Sequence, residues 1–150
     1  MSQGQSLGHV PFRLWHSRPP MAGAEPIRVL VVDDHQLFAH GLTAMLAQDG
    51  RFEVVGTAAT GREAVRLAKT AAADVVLMDM SMPVLDGPAA TRRLLALDPA
   101  LRVIAVSGHT DRLAREAALE AGATAFLTKS EAFDALADTI VQACGREQLR

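Results

Sequence analysis

In the stretch ADVVLMDMSMPVLDG, residues 73–87, the apolar run Val75-Val76-Leu77-Met78 ends in a carboxylate, Asp79, and then in a Met-Pro, Asp-Gly loop. An apolar run of this length bounded by turn residues reads as a strand buried on both faces, which puts Asp79 at the carboxyl end of a core strand. Desolvating a lone charge there is costly, so something must compensate it. Other apolar runs end in the same way. The run at 27–32 leads into Asp33-Asp34, that at 102–106 into Ser107-Gly108, and that at 123–127 into Thr128-Lys129. Three carboxylates gathered by separate strand ends repel one another, and a hard divalent cation such as Mg2+, with its preference for oxygen ligands, is the natural compensating charge. Lys129 is one of two lysines in the chain, the other being Lys69. Its compact ammonium suits a phosphoryl oxygen, and Ser107 adds a hydroxyl donor. Such an edge is equipped for phosphoryl transfer to Asp79, forming an acyl phosphate. Taken singly, the acids have plainer explanations: Asp33 as the N-cap of a helix beginning near His35, or any of them as a turn residue. It is their convergence with a lysine that points to a site.

The elements that must position these groups follow from the alternation of the chain. Apolar runs at 27–32, 52–57, 74–78, 102–106 and 123–127 are separated by segments long enough for crossover helices. Segment 60–72 opens with a capping box, Thr60-Gly61-Arg62-Glu63, and places Ala64, Leu67, Ala68 and Ala71 on one face. Segment 131–144 puts Phe133, Leu136, Ala137, Ile140, Val141 and Cys144 on one stripe, which makes Cys144 core filling rather than a reactive thiol. Five β-α units with doubly buried strands predict an α/β fold, a doubly wound parallel sheet with helices on both sides, whose ligands bind outside the carboxyl ends of the strands.

The motifs VLVVDDH, VVLMDMSMPVLDG, VIAVSGHT and AFLTK, in that order and spacing, resemble the receiver domain of bacterial two-component response regulators, and are most similar to the NarL-like branch. The resemblance covers residues 27–144 and implies the flavodoxin-like (βα)5 receiver fold with strand order 2-1-3-4-5. It implies that Asp79 is the phosphoacceptor, and that Asp34, Asp79 and the backbone carbonyl of Ser81 bind Mg2+ directly while Asp33 helps hold the ion. Ser107 would be the switch hydroxyl, Lys129 its partner at the phosphoryl group, and Phe126 the rotameric aromatic of the switch. Ser81 and His109 occupy positions that tune hydrolysis of the acyl phosphate in the family. The implied donor is a sensor histidine kinase or a phosphotransfer protein. The chain would then catalyse its own phosphorylation and dephosphorylation without being a conventional enzyme, and would signal to an unknown downstream protein through helix 110–121, strand 123–128 and helix 131–144. Two residues depart from the common pattern: Phe126 stands in place of a tyrosine, and Ser130 rather than proline follows Lys129, where it would N-cap the last helix.

Length and charge restrict the alternatives. A chain of 150 residues, 49% hydrophobic and 21% charged, is expected to form one domain, here 27–144, preceded by a disordered extension over 1–26 and followed by a tail over 145–150. Met21, just ahead of the first strand, is an alternative start of translation. A net charge of −2 gives no basic footprint for nucleic acid or membrane, and one cysteine with no signal-like segment is consistent with the cytoplasm. His35 could line the acidic pocket but reads first as a surface or capping residue, and Arg92, Arg93, Arg112 and Arg115 read as solvated faces, the last two also suited to a homodimer or output contact. After Cys144 only GREQLR remains, so a stand-alone receiver is expected; the receiver portion of a longer DNA-binding regulator is the alternative. A phosphorylation-independent interaction module and a small-molecule phosphatase or phosphotransferase with an aspartyl intermediate are rival classes. The intact Asp34, Asp79, Ser107 and Lys129 argue against the first, and the short chain, with no visible cap domain or substrate pocket, against the second.

Overall fold

The computed structural model describes residues 25–82, 86–108 and 112–145. The segments 1–24 and 146–150, most of the expected extension and tail, lie outside these residues. Among the described residues five strands, β1 (Ile27–Val32), β2 (Phe52–Ala58), β3 (Val75–Asp79), β4 (Arg102–Ser107) and β5 (Ala125–Thr128), alternate with five helices, α1 (Gln36–Ala47), α2 (Gly61–Ala71), α3 (Gly87–Leu97), α4 (Arg112–Glu120) and α5 (Lys129–Ala143). All strand pairs are parallel and the sheet order is β2-β1-β3-β4-β5.

Each central strand feeds two cores because successive side chains point to opposite faces of the pleat. Ile27, Val29 and Val31 of β1, with Val75 and Leu77 of β3, pack on Ala39, Leu42 and Leu46 of α1 and on Ala132, Leu136 and Ile140 of α5. Leu30, Val32, Val76 and Met78 point the other way, to Ala64 and Ala68 of α2, Ala90 and Leu94 of α3 and Ala118 of α4. This double burial is why Val29–Val32 of β1 and Val75–Met78 of β3 read as unbroken apolar runs rather than alternating ones.

Short polar side chains set the starts of α2, α3 and α5. Thr60 caps α2, its hydroxyl accepting from the Glu63 N–H at 3.1 Å, while Glu63 accepts from the Ala59 N–H at 3.0 Å. Asp86 caps α3 by accepting from the Ala89 N–H at 2.9 Å. The next residue, Gly87, is pressed so closely on the end of β3 that an added Cβ would meet the Asp79 carbonyl and Met80 Cα. Only glycine allows that approach.

The last helix differs from the sequence expectation in two respects. Its N-cap is Thr128, not Ser130: the Thr128 hydroxyl accepts from the Glu131 N–H at 3.2 Å, and the Glu131 carboxylate accepts from the Thr128 N–H at 2.9 Å. A reciprocal box satisfies two backbone donors where Ser130 would satisfy one, so the helix starts at Lys129. Phe133 is also not on the buried stripe but 46% exposed; Ala132, Leu136 and Ile140 face the sheet, and Phe133 lies edge-on to Phe38 at 5.5 Å.

Candidate functional site

The carboxyl ends of β1, β3, β4 and β5 bring the candidate residues to one edge. Register does this: Val32 pairs with Met78, Asp79 with Val106, and Ser107 with Thr128. Asp33 follows β1 directly, held by its N–H donating to the Ala58 carbonyl at 3.0 Å. Its Oδ1 accepts from the His35 N–H at 2.7 Å, an Asx turn that reverses the chain into α1. The expectation that Asp33 caps this helix is replaced by a division of labour, since His35 holds the N-cap position with no side-chain cap bond.

Asp79 is the last residue of β3 and is 2% exposed. The Ser81 N–H donates to its Oδ1 at 3.1 Å, which turns the backbone after the strand and fixes the carboxylate plane. Lys129 reaches across the edge: its Nζ lies 2.9 Å from Asp33 Oδ2 and 3.8 Å from Asp79 Oδ2. It is also 3.3 Å from His35 Nδ1 and sits over the Phe38 ring at 4.8 Å from the centroid. Burial, first of all, pushes the Asp79 carboxyl up to about 6; the Asp33 carboxylate adds to the rise, while the Ser81 N–H and the Lys129 ammonium oppose it. One ammonium therefore serves two buried carboxylates, and Asp34 stands exposed beside them.

Asp33, Asp34 and His35 each offer a ligand atom within 4.8 Å of one another. Carboxylate oxygens with a single imidazole among the described residues of the group fit a hard divalent cation better than a transition metal. Ser81 is exposed and Ser107 is buried at the end of β4. Phe126 is partly buried, packed on the α2–α3 side of the sheet with the Arg115 guanidinium 6.0 Å over its ring. His109 lies outside the described residues.

Two further side chains take part. His35 is 76% exposed, as a surface residue should be, yet it also lines the acidic edge, where it touches Lys129; its adjacency to the two aspartates is the sequence signal for that second role. Phe38 supplies the face on which the lysine rests, and an aromatic in the first turn, leaning back toward the helix start, was its signal. The capping box that fixes Lys129 was legible in the same way, since Thr-Lys-Ser-Glu has the required spacing.

The family model for response regulator receiver domains matches residues 29–141. The response regulator GacA of Pseudomonas viridiflava is 45% identical over 103 residues, 69% of this chain and 48% of GacA. The signal receiver domain of NarL from Mycobacterium tuberculosis superimposes with a TM-score of 0.76 at 34% identity, covering 81% of this chain and 99% of that one. The CheX-CheY-BeF3-Mg2+ complex from Borrelia burgdorferi gives a TM-score of 0.75 at 28% identity, covering 81% of this chain and 92% of that one. The chain spans about half the length of curated relatives such as DegU and GacA.

Proposed function

The chain belongs to the response regulator receiver domains of two-component systems, and from that premise we infer that it is a phosphorylation-activated switch whose phosphoacceptor is Asp79. The observation that carries this reading is the buried Asp79 carboxylate facing the Lys129 ammonium at 3.8 Å, beside an Asp33 carboxylate that adds negative charge to the same edge.

The donor is a phosphohistidine on a sensor histidine kinase or a phosphotransfer protein. An Asp79 oxygen forms the new bond to phosphorus as the donor's P–N bond breaks and its electron pair leaves with the imidazole nitrogen. The Ser81 N–H holds Oδ1, leaving Oδ2 on the side of the ammonium. Lys129, anchored by Asp33 in the resting chain, meets a phosphoryl oxygen once the acyl phosphate forms. Asp33, Asp34, Asp79 and the Ser81 carbonyl would hold Mg2+, which when bound supplies positive charge against the phosphoryl oxygens; that the similar CheX-CheY complex is named with BeF3 and Mg2+ supports the choice of ion. Ser107 and Lys129 engage the added oxygens in one arrangement of their loops, which shifts a pre-existing equilibrium read through α4, β5 and α5. Phe126 moves with that equilibrium by packing alone, since it has no hydroxyl, and Ser81 and His109 set the lifetime of the phosphoryl group.

Output passes to a downstream protein by direct contact. The greater length of the curated relatives is compatible with one other reading, a receiver joined to a DNA-binding domain. Intact-protein mass spectrometry after incubation with acetyl phosphate and Mg2+ tests the acceptor. A Mg2+-dependent gain of one phosphoryl mass is expected, absent from Asp79→Asn; no gain, together with no beryllofluoride binding, would sink the switch.

A further inference from the structure

Away from the acidic edge, α2 and α3 enclose an open groove of about 520 Å3 whose rim is formed by Arg62, Arg66 and Lys69 of α2 and by Arg93 of α3. Among the described residues no acidic side chain lines it. The three α2 cations recur at intervals of four and three residues, so they lie along one face of the helix over about 10 Å. Its floor is apolar: Val65 is partly buried, and Leu97, at the end of α3, is 51% exposed. In a chain of net charge −2 this is a local reversal of sign.

Nothing in the proposed phosphorylation chemistry uses these residues. Plain solvation would account for each cation alone, but not for four of them around exposed apolar surface. Arg66 pairs with Glu63 at 3.7 Å, a weak exposed contact that a partner could displace. The chain's own remaining segments do not supply the complement: residues 1–24 contain Arg13 and Arg18 and no acidic residue, and 146–150 contain two arginines and one glutamate. The apolar floor distinguishes the occupant from nucleic acid or free phosphate, which charge alone would hold.

We propose that the α2–α3 groove is a second protein-docking surface, which takes an acidic amphipathic helix of a partner protein. Carboxylates on that helix at intervals of four and three residues meet Arg62, Arg66 and Lys69, and an apolar side chain between them seats against Val65 and Leu97. Docking of this kind is independent of phosphorylation at Asp79, so the two readings stand or fall separately.

Fluorescence anisotropy with the full chain tests it. The probe is a labelled helical peptide carrying Glu at i, i+4 and i+7 and Leu on the adjoining face; the controls are the same peptide with Lys for Glu, the same peptide with Ser for Leu, and a single-stranded oligonucleotide. The Glu/Leu peptide is expected to bind, with at least tenfold weaker binding to Arg66→Glu/Arg93→Glu and to Leu97→Asp, and no change for Arg112→Glu on α4. Circular dichroism melts separate misfolding from lost binding, and Leu97→Ser serves should Leu97→Asp fail to fold. Equal binding to wild type and variants overturns the proposal. So does an oligonucleotide or Ser-substituted peptide that binds as tightly as the probe, or self-association of the wild type in sedimentation that the variants abolish.

Discussion

At the carboxyl edge of the sheet, Asp33 and Asp79 are 4% and 2% exposed and one ammonium lies between them, 2.9 Å from the first and 3.8 Å from the second. Between α2 and α3, four cations stand at the rim of an open groove, and Arg66, 66% exposed, meets Glu63 at 3.7 Å. Each region concentrates charge of one sign. Burial separates them: at the edge the protein interior replaces water, so every charge alters the protonation and stability of its neighbours, whereas at the groove water and salt screen the cations and leave them free for a partner. The first region holds its charge at a fixed, buried point, and the second spreads it over a solvated surface.

The largest effect expected from breaking this contrast comes from Lys129→Ala. Removing the ammonium leaves Asp33 and Asp79 without their cation, and urea denaturation at pH 7.5 in EDTA should show a loss of roughly 2–3 kcal/mol, reduced from the full buried-pair cost because Lys129 is 20% exposed. The same substitution should slow phosphorylation by acetyl phosphate at least tenfold. An unchanged denaturation midpoint would mean that the ammonium is solvated rather than committed to the edge.

A second comparison uses pH. Because the Asp79 carboxyl is raised from its ordinary 3.8 to about 6, first by burial, its contribution to folding is fully present below 3.8 and is lost as pH rises through 6. In EDTA, Asp79→Asn should therefore be more stable than wild type by roughly 1–3 kcal/mol at pH 8, and the two should converge as pH falls toward 4. Thermal melts at a series of pH values check this, and a constant difference would show that Asp79 ionises as an ordinary surface acid.

Smaller changes are expected further from the charges. Thr128→Ala removes one half of the box that starts α5 and should cost about 1 kcal/mol, with a modest fall in phosphorylation rate because Lys129 is the next residue. At the groove, Arg66→Glu should alter stability by less than about 0.5 kcal/mol at 0.15 M salt, since exposed ion pairs contribute little. A loss comparable with that of Lys129→Ala would erase the distinction between the two regions.

Local features were readable from the residues. The five strands fall within a residue or two of the apolar runs, and Asp79, Ser107 and Lys129 lie where those runs end. Strand patterning and turn chemistry are short-range, so a single stretch of chain carries them. The last helix is where that reading failed. Thr128 and Ser130 are both competent caps, and what separates them is Glu131 reaching back to the Thr128 N–H at 2.9 Å. Phe133 likewise has the spacing of a core residue but packs against Phe38 of a helix almost a hundred positions earlier.

By itself, then, the amino-acid sequence determined the strand and helix pattern, the residue types at the strand ends and, through its motifs, the receiver family. Tertiary structure alone decided that Lys129 anchors on Asp33 rather than Asp79, that His35 and Phe38 surround its ammonium, and that cations of α2 and α3 converge on one groove. The physical reason is range. Periodicity and capping act within a few residues, whereas the partner of a charge depends on the register of strands and the packing of helices far apart in the chain, where differences of an ångström change an interaction's strength.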